Sequence, residues 1–156
     1  MDIEEYKAYT AKGGYLEAGT EAAKMMRPAA VEAQRITAAI NGAFHTPEEL
    51  RALFSELTGQ RVDETFALFP PVYTDFGKNI RVGKNVFINS GCCFQDQGGI
   101  EIGDDCLIGH QVVFATLNHD LSPTKRANMF PAPIRLGCNV WVGSHATVLV
   151  GVQGGG

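Results

Sequence analysis

A chain of 156 residues fits one domain with room for a small helical appendage, and it can bury a sizeable core. Its 45% hydrophobic and 19% charged content is that of an ordinary soluble protein, and a net charge of −4 gives no general attraction to nucleic acid or to anionic membranes. The opening MDIEEYKAYTAK is polar, so no secretory signal is visible, no apolar run reaches membrane-spanning length, and a cytoplasmic location is expected.

The first 60 residues carry a helical pattern, with apolar residues three and four apart. A first short helix is expected over Ile3–Ala11, ending at Gly13 and Gly14. A second is expected over residues 21–40, with Pro28 as a kink or break. A third starts at Thr46, where threonine can cap, Pro47 suits the first helical position and Glu49 completes a capping box; it ends near Gly59. Its stripe of Leu50, Leu53, Phe54 and Leu57 needs a surface to pack on.

From residue 61 to 156 the expectation is a solenoid. Every sixth residue is an apolar anchor: Val82, Ile88, Phe94, then Ile102, Ile108, Phe114, then Leu136, Val142, Val148. Glycine follows the anchor at Gly83, Gly103, Gly109, Gly137 and Gly143, and a small or β-branched residue stands four places on, as at Val86, Cys92, Cys106 and Val112. Three six-residue steps make one coil of a triangular prism, whose inward anchors stack on those of the next coil. The glycines, with Asn85, Asp104, Asp105 and Asn139, are expected to supply the turns' unusual backbone angles. A sandwich would instead show alternation broken by turns every 8–12 residues. The four cysteines show no C-x-x-C spacing and are read as small buried hydrophobes.

Two phase breaks interrupt the repeat. Two extra residues enter around 96–99, and a loop is inserted at about 117–133, holding Asn118, His119, Asp120, Lys125, Arg126 and three prolines. Insertions at solenoid corners are where function is usually carried.

The helical leader, residues 73–80 (YTDFGKNI), 86–89 (VFIN), 116–119 (TLNH) and 139–144 (NVWVGS) together resemble the maltose and galactoside O-acetyltransferases, over nearly the whole chain. That resemblance implies an all-β solenoid, a left-handed parallel β-helix with an N-terminal α-helical segment, moving acetyl from acetyl-CoA to a hydroxyl of a sugar-like acceptor without a metal. It also implies a homotrimer with active sites between neighbouring prisms. It makes His119 the general base, a role suited to a group that titrates near neutral pH and worth about 10²–10⁴ in rate; a surface-loop histidine with no role is the competing view. By the same resemblance Asn89, Asp96, Asp75 and Glu17 contact the acceptor. The backbone N–H at Ser144 serves the thioester oxygen, and Trp141 lines the CoA channel or stands at a subunit contact. His110 and His145 are read as structural or surface groups.

The chain departs from the family after Val150, where members continue through further coils that grip CoA. The resemblance therefore implies a C-terminally truncated member, less stable than a full-length relative and weak in CoA affinity. Two other readings stay open. One is a γ-type carbonic anhydrase, whose H-x-x-x-x-H pair is missing here; the other is a non-catalytic oligomeric scaffold.

Overall fold

The computed structural model describes residues 1–155, which form the expected left-handed parallel β-helix behind an N-terminal helical segment. Helix α1 spans Ile3–Ala11, and its N-cap Asp2 and Glu5 form a full capping box. The second helix is broken in two, α2 over Glu21–Lys24 and α3 over Met26–Asn41. Pro28 causes the break, but one turn upstream of itself. It lacks the N–H that would bond to Lys24, and its ring crowds that carbonyl. Helix α4 covers Pro47–Thr58 and ends at Gly59 in the left-handed conformation. Its capping box is only half made: Thr46 accepts from Glu49 N–H, while the Glu49 carboxylate turns to His45.

Twelve short strands wind through four coils. The first coil holds β1 (Ala67–Leu68), β2 (Val72–Thr74) and β3 (Ile80–Val82); the second β4 (Phe87–Ile88), β5 (Cys92–Gln95) and β6 (Ile100–Ile102). The third holds β7 (Leu107–Ile108) and β8 (Val113–Ala115), leaves the prism as a hairpin of β9 (Leu117–His119) and β10 (Met129–Pro131), and closes with β11 (Ile134–Leu136). The fourth holds β12 (Trp141–Val142), β13 (Thr147–Val148) and β14 (Gln153–Gly154).

Parallel pairing stacks these into three walls: β1-β4-β7-β12, β2-β5-β8-β13 and β3-β6-β11-β14. Ile102, Ile108 and Phe114 fall on three different walls and are all buried, as sixfold spacing requires. Phe94 and Phe114 stack inside the prism with ring centroids 4.9 Å apart. The first coil would present bare strand edges. Helices α3 and α4 cover it, with Phe54 stacked on Phe66 at 4.6 Å and the Asn41 amide bonding both the N–H and the C=O of Val72 at 2.9 Å.

The turns bear out Asn85, Asp105 and Asn139 and correct the expectation for Asp104 and the post-anchor glycines. Positive φ belongs to residues two places after the anchor glycines, at Asn85, Asp105, Gln111, Asn139 and His145. Gly103 serves spacing: a Cβ there would stand 2.6 Å from the carbonyl oxygen of Gly137 in the next coil, whereas one on Gly143 would meet nothing within 4 Å. The cysteines divide as well. Cys92 and Cys106 are buried, Cys93 is half-buried and Cys138 is exposed at a corner. Among the described residues no helix is long and apolar enough to cross a membrane.

Candidate functional site

The inserted loop is an ordered hairpin. It leaves the prism where wall two meets wall three, and its neck is closed by the Ala132 N–H donating to Thr116 O at 2.9 Å. Thr116 braces that corner, its hydroxyl accepting from Gly98 N–H at 2.8 Å and donating to Gln95 O. The Gln95 side chain accepts from Leu117 N–H at 3.1 Å, fixing the first hairpin residue. His119 ends β9, exposed, beside an open depression of about 570 Å³ lined by Asn118, Asp120, Leu121, Arg126 and Phe130 as well as itself.

The orientation of the His119 ring is decided by one contact. Its Nδ1 lies 2.7 Å from the carbonyl oxygen of Arg126, which can only accept, so Nδ1 carries the proton. In the neutral ring Nε2 is then an unprotonated acceptor. That is the form a general base needs.

Asp75 follows β2 at the same corner, its N–H on Phe94 O at 2.9 Å. The residue is exposed, yet partial burial of its carboxyl raises it from the ordinary aspartate value, against the Gln97 amide 3.4 Å away. Asp96 corrects the sequence reading: it has no exposed surface, and its oxygens accept from Phe76 N–H at 2.9 Å and Asn79 N–H at 3.1 Å. It shapes a buried loop instead of offering a carboxylate to a ligand. Gln97, which the sequence reading passed over, is the polar side chain joined to Asp75, and its Oε1 has no partner within the chain. Only the neighbouring Asp96 hinted at it in the sequence. Glu17 is exposed, next to Leu16, which pairs with Met129 of the hairpin.

Asn89 and Ser144 stand elsewhere, on the corner between walls one and two. Asn89 N–H donates to Ile108 O at 2.9 Å. Ser144 is the first central residue of a turn opened by Gly143 and closed by Ala146 N–H on Gly143 O, with His145 at φ 63. Its hydroxyl accepts from His110 N–H at 3.2 Å. Wall two separates this corner from the hairpin by four residues of strand, roughly 13 Å at 3.3 Å per residue. Trp141 stands outward on wall one, 77% exposed. Within one chain, Glu17, Asp75 and His119 share one corner, while Asn89 and Ser144 share another. Among the described residues no group of three or more His, Cys, Asp or Glu side chains could hold a metal ion.

No family model matches the chain. It is 35% identical over 107 residues to the galactoside O-acetyltransferase of Escherichia coli (strain K12), covering 67% of this chain and 52% of that protein. The chain spans about half the length of the curated relatives it matches. A hexapeptide-repeat containing acetyltransferase from Vibrio cholerae superposes with a TM-score of 0.80 at 30% identity, over 94% of this chain and 79% of that one; that protein is also known in complex with acetyl coenzyme A. A maltose O-acetyltransferase from Clostridium difficile 630 superposes with a TM-score of 0.85 at 25% identity, over 96% of this chain and 80% of that one.

Proposed function

This chain belongs to the hexapeptide-repeat acetyltransferases, and from that premise we propose that it moves an acetyl group from acetyl-CoA to a hydroxyl of a sugar-like acceptor, with His119 as general base. The observation that carries this reading is the Nδ1–H bond from His119 to the Arg126 carbonyl, which leaves Nε2 free to take a proton. A sugar hydroxyl is a weak nucleophile toward a thioester until that proton is removed.

In the proposed step Nε2 accepts the hydroxyl proton as the oxygen bonds to the thioester carbonyl carbon. The carbonyl oxygen becomes an oxyanion, and the backbone N–H of Ser144 is the donor assigned to it. Collapse of the tetrahedral adduct breaks the carbon–sulfur bond, and the departing thiolate recovers the proton from His119. Asp75 and Glu17 are the carboxylates assigned to the acceptor's other hydroxyls, with Gln97 orienting Asp75, and Asn89 offers a side-chain amide. Asp96 contributes by holding the corner, not by contact. Trp141 is assigned to the CoA-facing surface or to a subunit contact.

The assembly proposed is a homotrimer. Outward side chains form one ladder per wall: Ala67, Phe87, Leu107 and Trp141 on the first, Tyr73, Cys93, Val113 and Thr147 on the second, Arg81, Glu101, Arg135 and Gln153 on the third. Two mainly apolar faces and one charged face suit a closed ring in which each prism turns its third wall to water. A neighbouring copy would also supply the corner that His119 lacks within its own chain.

Release of free thiol from acetyl-CoA against a panel of sugars tests the activity. His119→Ala should lower the rate by about 10²–10⁴. Equal rates for the two proteins would end the reading of His119 as base.

A further inference from the structure

The loop between α1 and α2 is joined to the hairpin along its outer edge. Leu16 and Met129 exchange backbone hydrogen bonds in both directions, at 2.9 and 3.0 Å, and Met129 is the residue paired with His119. Leu16, Met129 and His119 therefore lie abreast in three adjacent extended segments.

A run of side-chain hydrogen bonds reinforces this seam. Ala18 N–H donates to Asn128 Oδ1 at 2.8 Å, Asn128 Nδ2 donates to the Tyr15 hydroxyl at 2.7 Å, and that hydroxyl donates to Asp120 Oδ2 at 2.9 Å. Every direction is settled, because a backbone N–H can only donate and a carboxylate can only accept. Asn128 is 8% exposed, and the Tyr15 ring rests on Phe130 with centroids 4.7 Å apart.

The run grips both ends of the hairpin tip. Asp120 directly follows His119, and Asn128 directly precedes Met129. Between them the Arg126 guanidinium donates to Asp120 O at 3.0 Å and Leu121 O at 3.1 Å, while the Arg126 carbonyl receives the His119 proton. The bond that selects the His119 tautomer thus hangs on a tip whose shape the leader segment holds.

We propose that Tyr15 and Asn128 are positioning residues, which keep His119 protonated at Nδ1 with Nε2 presented to the acceptor. This rests on the general-base reading of His119, but its test has a readout independent of turnover. In ¹⁵N-labelled protein, at a pH where the ring is neutral, long-range ¹H–¹⁵N correlation distinguishes the two tautomers of His119. Tyr15→Phe removes only the hydroxyl and keeps the ring on Phe130. Asn128→Ser shortens the donor, and it serves as the second variant should the first fail to fold.

The expected result is a wild-type ring in the Nδ1-protonated form and a mixture of tautomers in the variants. It is joined by a kcat lower by about ten- to a hundredfold, with KM for acetyl-CoA within about twofold, since misplacing a reacting group penalises the chemical step. A purely structural role would lower Tm and leave the tautomer and kcat of the folded fraction alone. Variants that keep the Nδ1-protonated ring overturn the proposal. If the wild type transfers no acetyl, the activity reading fails by itself, and the tautomer spectra still decide the positioning role.

Discussion

Asparagine at position 96 would keep the size of the side chain and remove a charge from the most enclosed polar corner of the prism. In the folded chain burial pushes the Asp96 carboxyl up to about 6, while the backbone N–H groups of Gly77, Phe76 and Asn79 and its own pull it down. Two titratable groups face it. Tyr6, from α1, is raised by its own burial and by Asp96 and stays protonated in this range; Lys78 is lowered by burial. In the unfolded chain Asp96 returns to about 3.9. The folded value lies above the unfolded one, so its stabilising contribution is complete below about pH 4 and is lost as pH rises through about 6. A separation of about two units corresponds to about 3 kcal/mol. Asparagine is uncharged at every pH, but its amide nitrogen can only donate, so one of the two backbone N–H groups that bond Asp96, from Phe76 or Asn79, loses its acceptor. Asp96→Asn should therefore be the less stable by about 1–3 kcal/mol at pH 4, where a buried N–H is left unpaired, and should gain about 3 kcal/mol relative to the wild type between pH 4 and pH 7. Urea titrations at pH 4, 5, 6 and 7, at one protein concentration, measure this directly. A variant that loses ground toward pH 7 would refute the reasoning, because the backbone donors would then outweigh burial.

Gly103→Ala should destabilise the chain by about 1–3 kcal/mol, since its new methyl meets the rigid backbone of Gly137 and can be relieved only by separating two coils; a thermal melt unchanged within error contradicts the spacing role. Trp141→Glu places a charge in the apolar ladder of wall one and should lower the mass of the proposed trimer in sedimentation velocity, whereas an unchanged mass would mean that this wall is not covered by a neighbouring copy.

What the sequence disclosed followed the range of the interactions involved. The prism walls were legible because anchor, glycine and small residue recur within six positions, and each coil meets only its neighbours. The ends of α4 were legible for the same reason, since Thr46 and Gly59 act on backbone groups within a few residues. Asp96 misled because its burial is imposed from elsewhere: Tyr6 of α1 stacks edge-on against Phe76 at 5.5 Å and closes a corner that would otherwise be open. The hairpin read as an irregular loop because three-residue strands are too short to show alternation, and Pro131 stands in one of them. The bonds from Tyr15 and Ala18 to residues 120 and 128 cross more than a hundred positions, and no local pattern announces them. The division of the candidate residues between two corners became visible only when the strands were assigned to walls.

The narrow neck of the hairpin has a consequence for how this architecture can be altered. Thr116 and Ala132 are already held together, so the third wall resumes at β11 wherever the intervening residues travel. A short link across that gap would leave the closure entropy small and the stacking of Ile134 on Ile100 untouched. Winding and the proposed general base are thus written in separable stretches of the polypeptide. The prism is a spool that completes itself, and the part proposed to handle protons is a detachable head, seated by a clasp that the first twenty residues provide.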